Sequence, residues 1–297
     1  MLVAKKGRGF SRQRFELLDA VILIILLFFA AIIVIPFVSV VGMSIATQKE
    51  TLESTLMLIP KHPTIDNYYR LFQDPRIAIG YKTTIYILLL GVPLNLFLTT
   101  SLAYGLVHTN YPGAKIVFYA ILLTMLFNGG IVPLYILMLQ LGLNNKIWSV
   151  ILAYGVNTFY FIIMRTYMTT IPGSLIESAK IDGATELRIL FRIVLPLAKP
   201  ILATVLLFYA VDRWNEWFNA MILLRRQDLI PLQLVLRNIV IDSSIVDSMS
   251  IAGPRVPRFT EGIQSATIMV TMLPIMCFFP FLQKFFVKGI MIGAVKA

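Results

Sequence analysis

Asp212, Arg213, Trp214, Asn215, Glu216, Trp217, Phe218 and Asn219 stand side by side in a stretch, Ile201 to Leu224, that is otherwise almost wholly apolar. On a helix turning 100° per residue, Asp212, Asn215, Glu216 and Asn219 fall within about a 100° sector, with Arg213 beside Glu216 and with Trp214 and Phe218 pointing away. Such a sector can hydrogen-bond a hydroxyl-rich solute, and Trp217 near its edge can cover apolar C–H faces. The same charges can instead pair with one another and fix helix packing. Other chemistries have little to stand on. His62 and His108 are far apart, so no helical histidine pair for zinc exists, and no G-x-x-x-x-G-K-[ST] phosphate loop occurs. Glu177 and Asp182, five positions apart, diverge by about 140° on a helix and do not make a carboxylate pair. The single cysteine, Cys277, excludes an intrachain disulfide framework or a cysteine-based metal site. The expectation is a chain that is not an enzyme and binds no cofactor itself.

The elements that hold these residues are set by hydropathy. Of 297 residues 58% are hydrophobic and 14% charged, too apolar for a water-facing surface. A membrane-crossing helix needs about 20 consecutive apolar residues. Six stretches qualify: Ala20 to Gly42, Thr83 to Leu106, Ile116 to Leu141, Ile147 to Met164, Ile201 to Leu224 and Ile263 to Phe286. The expected fold is an all-α membrane protein with six transmembrane helices. A tail, 1–19, precedes a transmembrane domain, 20–297. The first apolar stretch continues to about Ala46, too long for the core of a cleaved signal, and reads as a retained helix.

The net charge of +11 invites a nucleic-acid reading, but the basic residues sit between apolar spans and form no continuous patch. Membrane topology accounts for them. Lys5, Lys6, Arg8, Arg12 and Arg14 place the N-terminal tail in the cytoplasm, and an even number of spans returns the C-terminus, with Lys284, Lys288 and Lys296, to the same side. The 165–200 loop is then cytoplasmic, while 43–82 and 225–262 face outward. In the first outward loop Thr64 is placed to cap a short surface helix. Pro231, Gly253, Pro254 and Pro257 limit helices in the second. Asn128, Gly129, Gly130 and Pro133 interrupt the third span, either as a bend or as a broken helix lining a cavity. Met269, Met272 and Met276 read as packing.

The cytoplasmic loop carries the most specific pattern. Ser174 and Glu177 form the S-x-x-E of a capping box, and Gly183 stands where a left-handed helix terminator belongs. Leu187, Leu190, Phe191 and Val194 give a second helix one apolar face, and Pro196 ends it. The order Glu177, Ser178, Ala179, three residues, Gly183, nine residues, Ile193, one residue, Leu195, Pro196 resembles the EAA loop of bacterial binding-protein-dependent ABC importers. It departs from Glu-Ala-Ala only at Ser178. Asn128 to Tyr135 (NGGIVPLY), Trp214 to Phe218 (WNEWF) and the ending KGIMIGAVKA are similar to the carbohydrate-type permeases of that family, most of all those for complex oligosaccharides and polysaccharide fragments. The terminal Ala297 stands where Gly is expected.

The resemblance implies a type I importer transmembrane domain whose EAA loop is a coupling helix docked in a cleft of a separate ATPase. It assigns coupling to Glu177, Ser178, Ala179, Asp182, Gly183, Ile193, Leu195 and Pro196. It assigns a translocation path to Asn128, Tyr135, Asp212, Arg213, Trp214, Asn215, Glu216, Trp217 and Asn219. It further implies a second permease, two ATPase subunits carrying ATP and Mg, and an extracytoplasmic sugar-binding protein meeting the 225–262 loop. The setting would be a bacterial cytoplasmic membrane and the cargo an oligosaccharide. An ion-gradient-driven transporter, or an ABC permease for a non-sugar solute, remains the alternative.

Overall fold

The computed structural model of the chain describes residues 17–54, 56–108, 112–248 and 261–294. Its helices, in chain order, are α1 (Leu17–Ser44), α2 (Gln48–Glu53), α3 (Asp66–Phe72), α4 (Pro75–His108), α5 (Ala114–Leu126), α6 (Ile131–Gln140), α7 (Ile147–Ala153) and α8 (Thr158–Met168). They continue as α9 (Gly173–Ile181), α10 (Glu186–Ile189), a π-helical turn (Leu190–Val194), α11 (Leu195–Leu197), α12 (Lys199–Trp214), α13 (Phe218–Leu223), α14 (Leu232–Ser248) and α15 (Glu261–Ala294). Among the described residues there is no strand.

Polarity runs opposite to that of a water-soluble bundle. The most apolar stretch of α1 has none of its residues buried, and α1 packs along α15. On α4 the inward face carries Thr83, Thr84, Asn95, Thr99 and Thr100, while Ile85, Leu89, Leu90 and Phe97 point outward. An outer surface of this kind requires lipid, and a polar inner seam lets helices approach closely and hydrogen-bond. α4 is the central beam, packed against α8, α12, α14 and α7.

Six uninterrupted spans are not what forms. By length and composition α1 and α4 can each cross a membrane alone, and two bent helix pairs raise the number to as many as four among the described residues. The first two expected spans are single helices, and the sixth lies within α15. The third is split between α5 and α6 at Phe127–Gly130, where Gly130 has φ +89° and donates its N–H to Asn128 Oδ1 at 2.9 Å. The fourth is α7 and α8, bent by 55°. There α7 ends at Ala153, and Asn157 caps α8, its Oδ1 accepting from Phe159 N and Tyr160 N. The fifth breaks at Asn215–Trp217 between α12 and α13. In each case a short polar side chain at the break captures backbone groups that lipid could not satisfy.

The outward segments are tied down. Thr64 Oγ1 accepts from Asp66 N at 3.2 Å, but α3 starts at Asp66 with Ile65 at its N-cap. Asn67 Nδ2 donates to Ser44 O and Ala46 O, holding α3 against the end of α1. The outward segment 225–262 contains α14, whose Leu232, Leu234, Val235 and Ile239 are buried. The alternation of polar and apolar residues from 232 to 239 is an amphipathic helix against α4, not a solvated loop. Gly253, Pro254 and Pro257, the basic N-terminal residues Lys5 to Arg14, Lys296 and Ala297 lie outside the described residues, as do the side chains of Lys284 and Lys288.

Candidate functional site

Two groups of residues stand out, one at the loop after α8 and one where α7, α8, α12 and α13 meet. In the first, α9 starts at Gly173 with Pro172 at its N-cap and no side-chain capping bond. The box expected from Ser174 and Glu177 is therefore absent: Pro172 takes the cap position, Ser174 falls inside the helix, and Glu177 is exposed. The other end forms as the pattern requires. Gly183 has φ +78°, Gly183 N donates to Lys180 O at 3.0 Å, and Ala184 N donates to Ala179 O at 2.9 Å. This pair of bonds is the Schellman closure, which demands a left-handed residue at Gly183. Ile176, buried, anchors α9 among Met164, Met168, Ile189, Leu190 and Val194.

The second helix of the loop is capped by Thr185, whose Oγ1 accepts from Arg188 N. A π turn over Leu190–Val194 precedes Pro196, and the helix ends at Leu197, one residue beyond the proline, with an 86° bend into α12. Its buried face is Ile189, Leu190 and Val194, with Ile193 partly covered. Leu187 and Phe191, expected on that face, are exposed, because the helix turns the side through Ile189, Leu190, Ile193 and Val194 inward instead. With Ile181, which is 86% exposed, they leave an apolar patch beside the exposed Glu177 and Ser178. A Cβ added at Gly183 would meet nothing within 4 Å.

The second group surrounds a cavity of about 320 Å³ lined by Tyr154, Asn157, Tyr209, Asp212, Arg213, Asn215, Glu216, Trp217 and Phe218. Arg213 is only 4% exposed. Its Nη1 donates to Val150 O at 3.0 Å, its Nη2 to Ile151 O at 2.8 Å and Tyr154 O at 3.1 Å, and its Nε to Asn95 Oδ1 at 3.0 Å. A guanidinium thus closes the C-terminal end of α7, where unpaired carbonyls carry the negative end of the helix dipole. Asn95 Nδ2 adds a bond to Gly155 O at 2.7 Å. Glu216 Oε2 lies 3.7 Å from Arg213 Nη1 and holds Asn219, whose Nδ2 donates to it at 2.9 Å.

Asp212 and Asn215 face the opening, while Tyr209 is buried in the wall. Asp212 is exposed and accepts from Tyr160 OH at 2.8 Å. Asn215 is exposed, donates to Val211 O and accepts from Gln233 Nε2 at 3.3 Å. Tyr209 OH sits 2.6 Å from Thr99 Oγ1 and accepts from Asn157 N at 3.0 Å. Trp217 packs edge-on against Phe218 and under the Arg237 guanidinium.

Of the path residues expected from sequence, Asp212, Arg213, Asn215, Glu216 and Trp217 line the cavity. Trp214 turns toward α15, donating Nε1 to Thr271 O, and Asn219 is buried behind Glu216. Asn128 and Tyr135 are elsewhere, Tyr135 OH accepting from Arg225 Nη2 at 3.2 Å. Phe218, expected to point away, lines the cavity, because the 100° step fails across the break at Asn215. Tyr154, Asn157 and Tyr209 were not anticipated. A buried asparagine in an apolar span, Asn95, and the Gly155–Asn157 break were the available signals.

No protein-family model matches the chain. It is 38% identical over 282 residues, 95% of its length and 99% of the relative's, to the polygalacturonan/rhamnogalacturonan transport system permease protein YtcP of Bacillus subtilis. It is 31% identical, with 100% of both chains covered, to the galactooligosaccharides transport system permease protein GanQ of the same organism. A chain in the crystal structure of a bacterial ABC transporter involved in the import of the acidic polysaccharide alginate superposes with a TM-score of 0.82 at 29% identity, covering 96% of this chain and all of that one. A second alginate transporter structure, in complex with a periplasmic protein bound to an alginate pentasaccharide, matches at 17% identity with a TM-score of 0.54 and speaks for the fold alone. The all-helical, lipid-facing fold and this similarity define a membrane-embedded transport subunit. The chain belongs to the ABC importer permease family, as a subunit that is not itself an enzyme.

Proposed function

We propose that this chain forms half of the translocation path for an oligosaccharide and is driven by a separate ATPase that docks on the 165–200 loop. The observation that carries the reading is the loop's surface. Glu177, Ser178, Ile181, Leu187 and Phe191 are exposed around a rigidly terminated turn, and open space lies over Gly183. An apolar patch at a fixed helix end is what a partner cleft receives. Glu177, Ser178, Ala179, Asp182 and Gly183 would meet the ATPase, while Ile193, Leu195 and Pro196 hold the bend into α12. ATP and Mg would be held by that partner.

In the cavity, Asp212, Asn215 and the tyrosines supply hydrogen bonds suited to sugar hydroxyls, with Trp217 and Phe218 as apolar cover. Arg213 and Glu216 hold the cavity's frame. A second, non-identical permease completes the path. An extracytoplasmic sugar-binding protein meets the outward segment 225–262, and both termini are cytoplasmic in a bacterial cell membrane. Relatives that carry oligosaccharide and polysaccharide names support the cargo class.

The test is uptake into proteoliposomes holding the purified transporter, with ATP inside and the binding protein outside, offered a panel of oligosaccharides. Accumulation that requires ATP supports the reading. Accumulation driven by a proton gradient without ATP replaces it with an ion-coupled transporter.

A further inference from the structure

The carboxylate of Glu186 joins three elements. Its Oε1 lies 2.7 Å from Lys180 Nζ on α9, its Oε2 accepts from Tyr104 OH on α4 at 2.5 Å, and its own backbone opens α10. The ion pair is half exposed, 40% and 48% for the two side chains, so it adds little to stability. Its content is geometric. Tyr104 is 5% exposed, set in the same apolar cluster as Ile176, Met164 and Ile189, and its ring lies against that of His108. The phenol hydroxyl reaches out of the core to a carboxylate that also pairs with Lys180 of α9.

α4 continues from this contact to the cavity. Five residues before Tyr104, Thr99 pairs with Tyr209, and nine residues before it Asn95 pairs with Arg213. At 1.5 Å per residue these contacts are about 7 and 14 Å along the axis. One rigid helix therefore carries the loop's polar anchor at one level and two of the cavity's long-range anchors at the next.

We propose that Glu186 is a positioning residue that clamps α9 to α4 through Lys180 and Tyr104, so that displacement of the loop is carried along α4 to the cavity. The inference rests on the docking of the ATPase proposed above. Without the clamp, α9 still docks, held by Ile176 and the Schellman turn, but its movement is taken up locally and reaches the cavity weakly.

The experiment uses the complete transporter in nanodiscs, with Cys277→Ser as background. Ser178→Cys, fitted with a photocrosslinker, reports docking. In a separate preparation Asn215→Cys reports the cavity through its rate of reaction with N-ethylmaleimide, with and without trapping by ATP, Mg and vanadate. With Glu186 present, trapping changes the labelling rate. In Glu186→Ala the change shrinks about tenfold while the crosslink to the ATPase persists, the scale that goes with losing one charge-assisted hydrogen bond. Tyr104→Phe, which keeps the ring and its packing, reproduces the loss. Glu186→Gln, which keeps an acceptor for Tyr104, recovers most of the response, as a general folding defect would not. An unchanged labelling response in Tyr104→Phe and Glu186→Ala, with the crosslink intact, overturns the clamp. Absence of the crosslink even with Glu186 in place overturns the docking reading and the clamp with it.

Discussion

The loop and the cavity use polar groups in opposite ways. In the loop, the backbone bonds that shape α9 and its turn run between residues at most five apart, such as Ala184 N to Ala179 O, and Glu177 and Ser178 are left facing outward. In the cavity, Arg213 reaches Val150 O, Ile151 O and Tyr154 O some sixty positions away in sequence and Asn95 at a separation of 118 residues. A docking surface needs only a well-ended helix. A polar chamber at membrane depth needs every freed backbone group satisfied by some other part of the chain.

Substitutions that separate fold from function test that contrast, and the largest effect belongs to Arg213. Arg213→Ala strips four hydrogen bonds from buried carbonyls and a buried amide, and should destabilise the protein by at least about 3 kcal/mol. A large drop in the thermal unfolding midpoint in detergent is expected. Arg213→Lys should recover little of it, because an ammonium cannot reproduce the planar fork.

Gly183→Asp works the other way. Space is free around a Cβ there, so the cost to this chain is that of a left-handed non-glycine residue, roughly 1 kcal/mol. Association with the ATPase should nonetheless be lost or uncoupled, seen as ATPase no longer retained with the tagged permease. Retention and unchanged coupled hydrolysis would remove the loop from the mechanism.

Within the cavity the two acids should divide. Asp212→Asn and Asn215→Ala are expected to lower uptake roughly tenfold with the unfolding midpoint unchanged, since both side chains are exposed. Glu216→Ala should lower the midpoint as well, because Arg213 and Asn219 lose their partner. Equal midpoints for all three would mean that Glu216 holds no frame.

The smallest effect is in the outward segment. Partial desolvation raises the Glu50 carboxyl, but hydrogen bonds from Thr47 and from the His62 backbone outweigh it and leave the group below the ordinary glutamate value. A lowered carboxyl gives order that is complete above the unfolded value and is lost as pH falls through the folded one. Protection of the Lys61 and His62 amides, which donate to Glu50 Oε1, should stay flat from neutrality to about pH 5 and decline below about pH 4. Glu50→Gln should lose part of it at neutral pH.

The same division separates what sequence alone determines from what it does not. Membrane residence, the apolar stretches and the EAA spacing were readable because each is a local property of sequence. Gly183 was found as a terminator because a left-handed closure is set by its immediate neighbours. The capping box failed because Pro172 took the cap position that Ser174 was expected to hold. Leu187 and Phe191 fall outside the buried face because which side of a short amphipathic helix turns inward is decided by its tertiary neighbours, and Phe218 lines the cavity because a helix break changes the step. Arg213 as a cap on α7, and Asn157 and Tyr209 as cavity walls, depend on contacts between helices far apart in the chain, which periodicity cannot supply. The burial of α14 is masked in the sequence by Gln233, Arg237 and Asn238, polar residues that mark one side of an amphipathic helix as readily as they mark a loop.

The most direct test is affinity purification of the tagged chain from its native membranes in mild detergent, with identification of whatever accompanies it. The expected result is an ATPase bearing phosphate-loop motifs and a second permease in stoichiometric amounts, with a sugar-binding protein recovered when it is retained, and loss of the ATPase when Gly183→Asp is used as bait. Recovery of the chain only with copies of itself, under conditions that keep a known ABC importer intact, would contradict it.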